Sequence, residues 1–204
     1  MDRRTLLKSA SMAAVGLGLG GCAVRTSQPA SVTRRLTRQP IVLAPIRASW
    51  DRVIRTTVGL RPHRPSGFLL KAEKFDAKTV VHNYGHGGAG ISLSWGTGAL
   101  AADLALEQGD RRAAVLGSGA VGLAAARQLQ RRGFDVTIYA MAVPPETTSN
   151  MAYATFSPTS RLVSGPRTVA WEAQFDRAVE IAYRQLQLLV GPRYGISWLD
   201  SYST

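Results

Sequence analysis

The sequence predicts an α/β fold built on a parallel sheet, and three stretches predict it. Ala113 to Leu116 is a short apolar run suited to a buried strand. Ala120 to Arg132 follows a glycine-rich turn and has helical spacing with strong helix formers. Asp135 to Tyr139 is β-rich and alternating, so it reads as a second strand; Gly133 before it suits the end of the helix.

The turn between the first strand and the helix reads Gly117-Ser118-Gly119-Ala120-Val121-Gly122, a G-x-G-x-x-G pattern. Alone the pattern is weak; between a strand and a helix, with a second strand after it, it is the Rossmann-like dinucleotide fingerprint. Gly117 permits the tight turn, Gly119 lets backbone approach a pyrophosphate, and Gly122 lets the helix pack close to the strand. The unpaired N–H groups and positive end of the helix then face the phosphates at Ala120 and Val121. An acidic residue usually closes the second strand and holds the ribose. Here Tyr139 is followed by Ala140, Met141 and Ala142, and the nearest acid is Glu146.

A second glycine run precedes the fingerprint. Lys78 to His82 is strand-like, Gly85, Gly87, Gly88 and Gly90 follow, and a helical stretch runs from Ser92 to about Glu107. So many glycines imply a backbone that passes close to something flat or anionic. The helix starting near Ser92 points its positive end at the same place.

These stretches resemble the D-amino-acid oxidases. Gly59-Leu60-Arg61-Pro62-His63-Arg64-Pro65, His82-Asn83-Tyr84-Gly85-His86-Gly87-Gly88-Ala89-Gly90 and Trp95-Gly96 are similar to that family's C-terminal signature. The G-x-G-x-x-G unit and Thr147-Thr148-Ser149-Asn150 are similar to its N-terminal flavin-binding region. The order is reversed along this chain, which a circular permutation explains, with Gln108 to Asp110 as the joining loop. The resemblance implies an FAD-binding fold and FAD as cofactor. It implies that Gly117, Gly119, Ala120, Val121, Gly122, Thr147, Thr148 and Ser149 hold FAD, and that Gly87, Ala89, Gly90, Ile91 and Ser92 line the flavin ring. It assigns the substrate carboxylate to Arg61, whose planar fork suits bidentate pairing, and the substrate amine to the backbone of Gly88. His82 and His86 read as scaffold for the glycine run, and Arg64 as structural. Tyr153-Ala154-Thr155-Phe156 departs from the family's small residues, and a bulky Tyr153 there crowds the ring. The family's substrate domain has no visible counterpart after a last helix, Thr168 to Val190, with an apolar stripe at Phe175, Val179, Ala182, Leu186 and Leu189.

Bulk properties bound the partners. The 204 residues carry a formal net charge of +12, but residues 1–55 hold ten Lys/Arg against two Asp/Glu. The excess sits in a leader and a linker with no recognition module, so nucleic acid is not an expected partner. One cysteine and three histidines leave no disulfide framework and no expected metal site. Residues 1–22 read as a signal peptide in which Arg3-Arg4-Thr5-Leu6-Leu7-Lys8 resembles the twin-arginine motif. Leu19-Gly20-Gly21-Cys22 resembles a lipoprotein cleavage box, so Cys22 is the expected site of any lipid anchor. An exported protein, periplasmic or extracellular, follows, with the export machinery as partner. Residues 23–45 are a basic linker, and 46–204 the FAD-binding domain, divided into 46–108 and 109–204. The expected activity is oxidative deamination of a D-amino acid or related amine with oxygen as acceptor. The alternatives are a catalytically inactive, truncated flavin-binding fragment and an NAD-type dehydrogenase.

Overall fold

The computed structural model describes residue 42, residues 44–159 and residues 163–201. The expected signal peptide, with Cys22, lies outside the described residues, as does nearly all of the expected linker. The chain divides into two compact units, Met1–Arg52 and Val53–Thr204. In the first, the described residues are exposed and form one 3₁₀ turn, Trp50–Arg52.

The second unit is assembled around one helix. A hairpin comes first, β1 (Leu69–Phe75) and β2 (Lys78–Tyr84), antiparallel with Phe75 opposite Lys78. The two-residue connection is possible because Asp76 takes φ 51°, a left-handed conformation that aspartate tolerates better than most residues. Then come α1 (Gly90–Leu106), β3 (Arg112–Leu116), α2 (Ala120–Arg131), β4 (Asp135–Tyr139) and α3 (Val169–Leu188). β3 and β4 pair in parallel, Arg112 with Asp135 through Leu116 with Tyr139, and α2 makes the crossover. The expected parallel pair is therefore present, with strand and helix bounds within a residue or two of those read from the sequence. Among the described residues the hairpin and the parallel pair are separate two-stranded sheets. β1 has no counterpart in the sequence reading, because its apolar signal is only Leu70 and Ala72 facing inward between Lys71, Glu73 and Lys74.

α1 explains the packing. Leu93 and Ala101 join Phe68, Leu70, Ala89 and Phe175 in one core cluster, while Ala102 joins Leu129 and Phe134 in another. A helix buried on so many sides needs small residues. A Cβ on Gly96 would overlap the carbonyl of Ala178 in α3, and one on Gly98 would lie 2.9 Å from the backbone nitrogen of Ala125 in α2. Each glycine thus lets a neighbouring helix approach to backbone contact. Burying a side chain such as Leu93 or Phe175 contributes about 2 kcal/mol, so both clusters hold α1 firmly.

The parallel pair is covered on one side only. Ala113, Val115 and Val136 pack towards Ala102, Leu129 and Phe134. Ala114, Leu116, Thr137 and Tyr139 lie on the other face and are exposed, Leu116 at 83% and Tyr139 at 59%.

Candidate functional site: two glycine-lined helix starts

The two glycine runs meet. α1 begins at Gly90 and α2 at Ala120, and a Cβ on Gly90 would lie 3.7 Å from Cγ2 of Val121. Two positive helix ends therefore open side by side. Neither N-cap, Ala89 or Gly119, has a side-chain capping bond, and neither first turn holds an acid. Nothing from the described side chains of those turns neutralises the two dipoles, which is the electrostatic setting an anionic ligand requires.

The fingerprint glycines have separate physical reasons. Gly117 sits at φ 109°, where a side chain is strained, and the space where its Cβ would be is open. A Cβ on Gly122 would overlap the Gly117 carbonyl, so helix and turn touch through backbone. Gly119 is extended, and its Cβ would lie 3.0 Å from Ser149 Oγ. That hydroxyl accepts from the Ala120 N–H at 2.9 Å, so the 3₁₀ turn Thr148–Met151 docks on the start of α2. Thr147 is buried and donates to Asn150 Oδ1 at 2.7 Å, which shapes that turn, while Thr148 remains exposed. Gly59 packs on the same turn, its would-be Cβ 3.1 Å from Met151 Cβ and 3.2 Å from Thr148 Cγ2. At the end of β4 the Ser118 hydroxyl donates to the Ala142 carbonyl. Glu146 lies exposed in the turn closed by its N–H on Val143 O.

The second run is held from both sides. Gly85, Gly87 and Gly88 take φ of 85°, 60° and 102°, a succession that residues with a Cβ adopt only with strain. On one side the Gly87 N–H donates to Pro62 O at 3.1 Å. Arg61 answers by donating to the Gly87 carbonyl through Nε, at 3.0 Å, and through Nη2. Arg61 is itself exposed, and the would-be Cβ of Gly88 lies 2.9 Å from its Nε, so Arg61 and Gly88 are adjacent. On the other side His86 is buried, 3.0 Å from Thr97 Oγ1. Arg64 donates to Gly67 O and lies over the Tyr84 ring, a strut for the loop. His82 is on the outer face of the hairpin, 3.0 Å from Glu73 Oε2.

The residues expected to line the ring are used unequally. Gly88 is exposed and Gly90 half-buried, but the Ala89 methyl belongs to the core and Gly87 is buried. Ile91 is half-buried. The Ser92 hydroxyl is occupied twice, accepting from Ser157 N–H at 2.9 Å and donating to Thr155 O at 3.3 Å. Ser92 thereby fastens the 153–157 segment to α1. Ala89, Gly87 and Ser92 can offer a ligand backbone groups rather than side chains. Tyr153 is 95% exposed and points to solvent. Sequence reasoning missed two structural participants. Thr97 holds His86 from two helical turns away, and Asn83, paired with Leu70 across the hairpin, buries a side-chain amide that has no partner among the described residues.

Comparison with known proteins finds a family similarity for part of this chain. Residues 112–199 match the DAO family, FAD dependent oxidoreductase. This part of the chain is similar to members of that family. A D-amino-acid oxidase of Streptomyces coelicolor is 40% identical over 91 residues, 43% of this chain and 28% of that protein. A D-amino-acid oxidase of Rubrobacter xylanophilus is 50% identical over 54 residues, and a human D-aspartate oxidase 51% over 57; each alignment covers 26% of this chain and 17% of the relative. The chain thus spans less than a third of the length of the curated relatives it matches. No solved structure matches it.

FAD is the cofactor to which the fingerprint corresponds. The residues fit it on two counts: open space over Gly117, and two helix starts whose first turns hold no acid, with Ser149 meeting just the Ala120 amide of α2.

Proposed function

We propose that this chain holds FAD between the starts of α1 and α2 and takes part in oxidative deamination of a D-amino acid, with oxygen as acceptor. One observation carries the reading. Two glycine runs from opposite ends of the expected family order adjoin, and Arg61 and Gly88 lie beside them. The order of the two blocks is read as a circular permutation joined at Gln108–Asp110, where Gly109 turns at φ 83°.

FAD, when bound, supplies the two-electron acceptor. The chain's own groups supply position and field. The Gly87 carbonyl takes the Nε–Nη2 edge of Arg61. The end-on Nη1–Nη2 edge has no partner among the described residues, and it suits a carboxylate bidentately. The Gly88 backbone beside it suits the amine. A substrate gripped at both ends presents its α-carbon in one orientation, which is how positioning lowers a barrier. The bare start of α1 favours negative charge developing on the ring. Neither histidine near the glycine run stands free as a base: His86 is bonded to Thr97 and His82 to Glu73.

Reconstitution of the purified chain with FAD tests the reading. A yellow spectrum that bleaches with D-alanine in the absence of air supports it. NADH binding with no flavin uptake overturns it in favour of an NAD-type dehydrogenase. Arg61→Ala should raise KM by at least about a hundredfold, the effect of losing a charge-assisted pair, with flavin content intact; parallel loss of flavin would remove Arg61 from its role. The exposed face of Leu116 and Tyr139 favours a second reading, a chain that binds flavin without turning over unaided. A yellow protein inert to every D-amino acid supports that one. The exported location expected from residues 1–22 joins the proposal, and cell fractionation tests it.

A further inference from the structure

We propose that His86 is a positioning residue, a neutral Nε2-protonated imidazole that fixes the Gly85–Gly90 loop by anchoring it on Thr97. The inference rests on the reading above, that this loop receives flavin and substrate.

The argument begins with what the loop lacks. Between Gly85 and Gly88 the one side chain is that of His86. Glycines at positive φ set the path but provide no side chain to hold it. His86 provides the hold. It is 5% exposed and stacks on Phe68 with ring centroids 5.4 Å apart at 17°. Its Nε2 is 3.0 Å from Oγ1 of Thr97, a residue with no exposed surface.

The hydrogen-bond inventory favours one tautomer. The Thr97 hydroxyl donates its proton to the Leu93 carbonyl at 3.3 Å, so towards His86 it is an acceptor. That arrangement puts the hydrogen on Nε2 and, in the neutral ring, leaves Nδ1 as the acceptor. Behind the loop, Arg64, Phe68, His86, Trp171 and Phe175 line a cavity of about 10 Å³, room for about one water. Burial holds the imidazole at a pKa of about 4, so it stays neutral. The His86 carbonyl also accepts from Ala89 N–H at 3.0 Å, linking the ring to the last residue before α1. The anchor thus runs from the helix interior through Thr97 and His86 to the backbone groups of Gly87 to Gly90.

Two near-isosteric substitutions test it in the full-length chain reconstituted with FAD. Thr97→Val removes the acceptor and keeps the shape; Thr97→Ser keeps the acceptor. FAD affinity is measured on the folded fraction by absorbance titration. Thr97→Val should weaken FAD about tenfold and shift the visible flavin band, and Thr97→Ser should stay within about twofold of the parent. Parent affinity should be flat between pH 6 and 8. Thr97→Val with parent affinity and band position, and only a lowered melting temperature, overturns the inference while leaving FAD binding standing. A parent chain that takes up no FAD overturns both. The imidazole ¹⁵N shifts of the parent at pH 7 give a check that needs no variant: hydrogen on Nε2 alone is expected, and hydrogen on Nδ1 or on both nitrogens overturns it.

Discussion

The starts of α1 and α2 differ from the start of α3, and the difference sets a helix end proposed for a ligand apart from one closed for stability. α3 is finished within the protein. Thr168 accepts from the Trp171 N–H at 3.1 Å, and Glu172 in the first turn pairs with Arg167. A cap and an acid satisfy both needs of a helix N-terminus. α1 and α2 begin at alanine and glycine caps with no acid, and Ser149 meets one amide of α2. α3 gains stability from its cap, whereas the caps of α1 and α2 bring no side chain to their first amides, the setting the proposed FAD site needs.

Four substitutions and conditions break or sharpen that contrast, starting with the largest. Gly122→Ala drives a methyl into the Gly117 carbonyl at the start of α2. Backbone against backbone cannot relax cheaply, so a loss of about 3 kcal/mol is expected, with loss of flavin uptake. Thermal melting and flavin content check it; a normal melt would show that the close approach is not needed.

Acid acts on the back of α1's start. The His86 pKa, about 4, lies below the ordinary 6.5. Its neutral form is favoured in the fold, so stability is complete above pH 6.5 and falls as pH drops towards 4. The loss approaches about 3 kcal/mol below that point. Urea midpoints at a series of pH values should show this slope, and His86→Gln should lack that share of it.

Gly90→Asp places an acid in the first turn of α1. A Cβ there meets only ordinary contacts, Val121 at 3.7 Å and His86 at 3.8 Å. FAD affinity should fall at least about tenfold while the apoprotein keeps its melting temperature or gains slightly. Gly90→Ala separates charge from bulk, and equal losses in the two variants would refute the dipole account. Thr168→Ala is the mirror experiment. Removing the α3 cap should cost about 1 kcal/mol and leave FAD affinity unchanged. A change in flavin binding would mean that the two kinds of helix start are coupled.

Much of this was legible from local pattern. The bounds of β3, α2 and β4 follow from an apolar run, a glycine punctuation and a β-rich run, signals that each occupy neighbouring residues. α3 was legible for the same reason, although Ala178 and Ala182 sit deeper in its seam than Leu186 and Leu189. β1 was not, since a half-buried strand with lysine and glutamate on its outer side has a weak signature. The site divided in the same way. Gly117 and Gly122 were legible because their roles are set by backbone within the turn. Ser92 and Ala89 were assigned to a ring, but Ser92's bonds to Thr155 and Ser157 and Ala89's place in the core depend on segments distant along the chain. Thr97 was invisible, because a threonine inside an apolar helix carries no mark of what approaches it.

The sequence by itself determined the strand–turn–helix–strand unit and the glycine positions on which the proposed FAD site rests. Those are consequences of sterics and of hydrogen bonding over a few residues. Only the tertiary structure decided that α1 and α2 begin side by side, that Arg61 is aligned by the Gly87 carbonyl, and that His86 is neutral and tied to Thr97. Each of these depends on groups separated by ten or more residues, and their meeting is governed by how Gly96 and Gly98 let three helices approach.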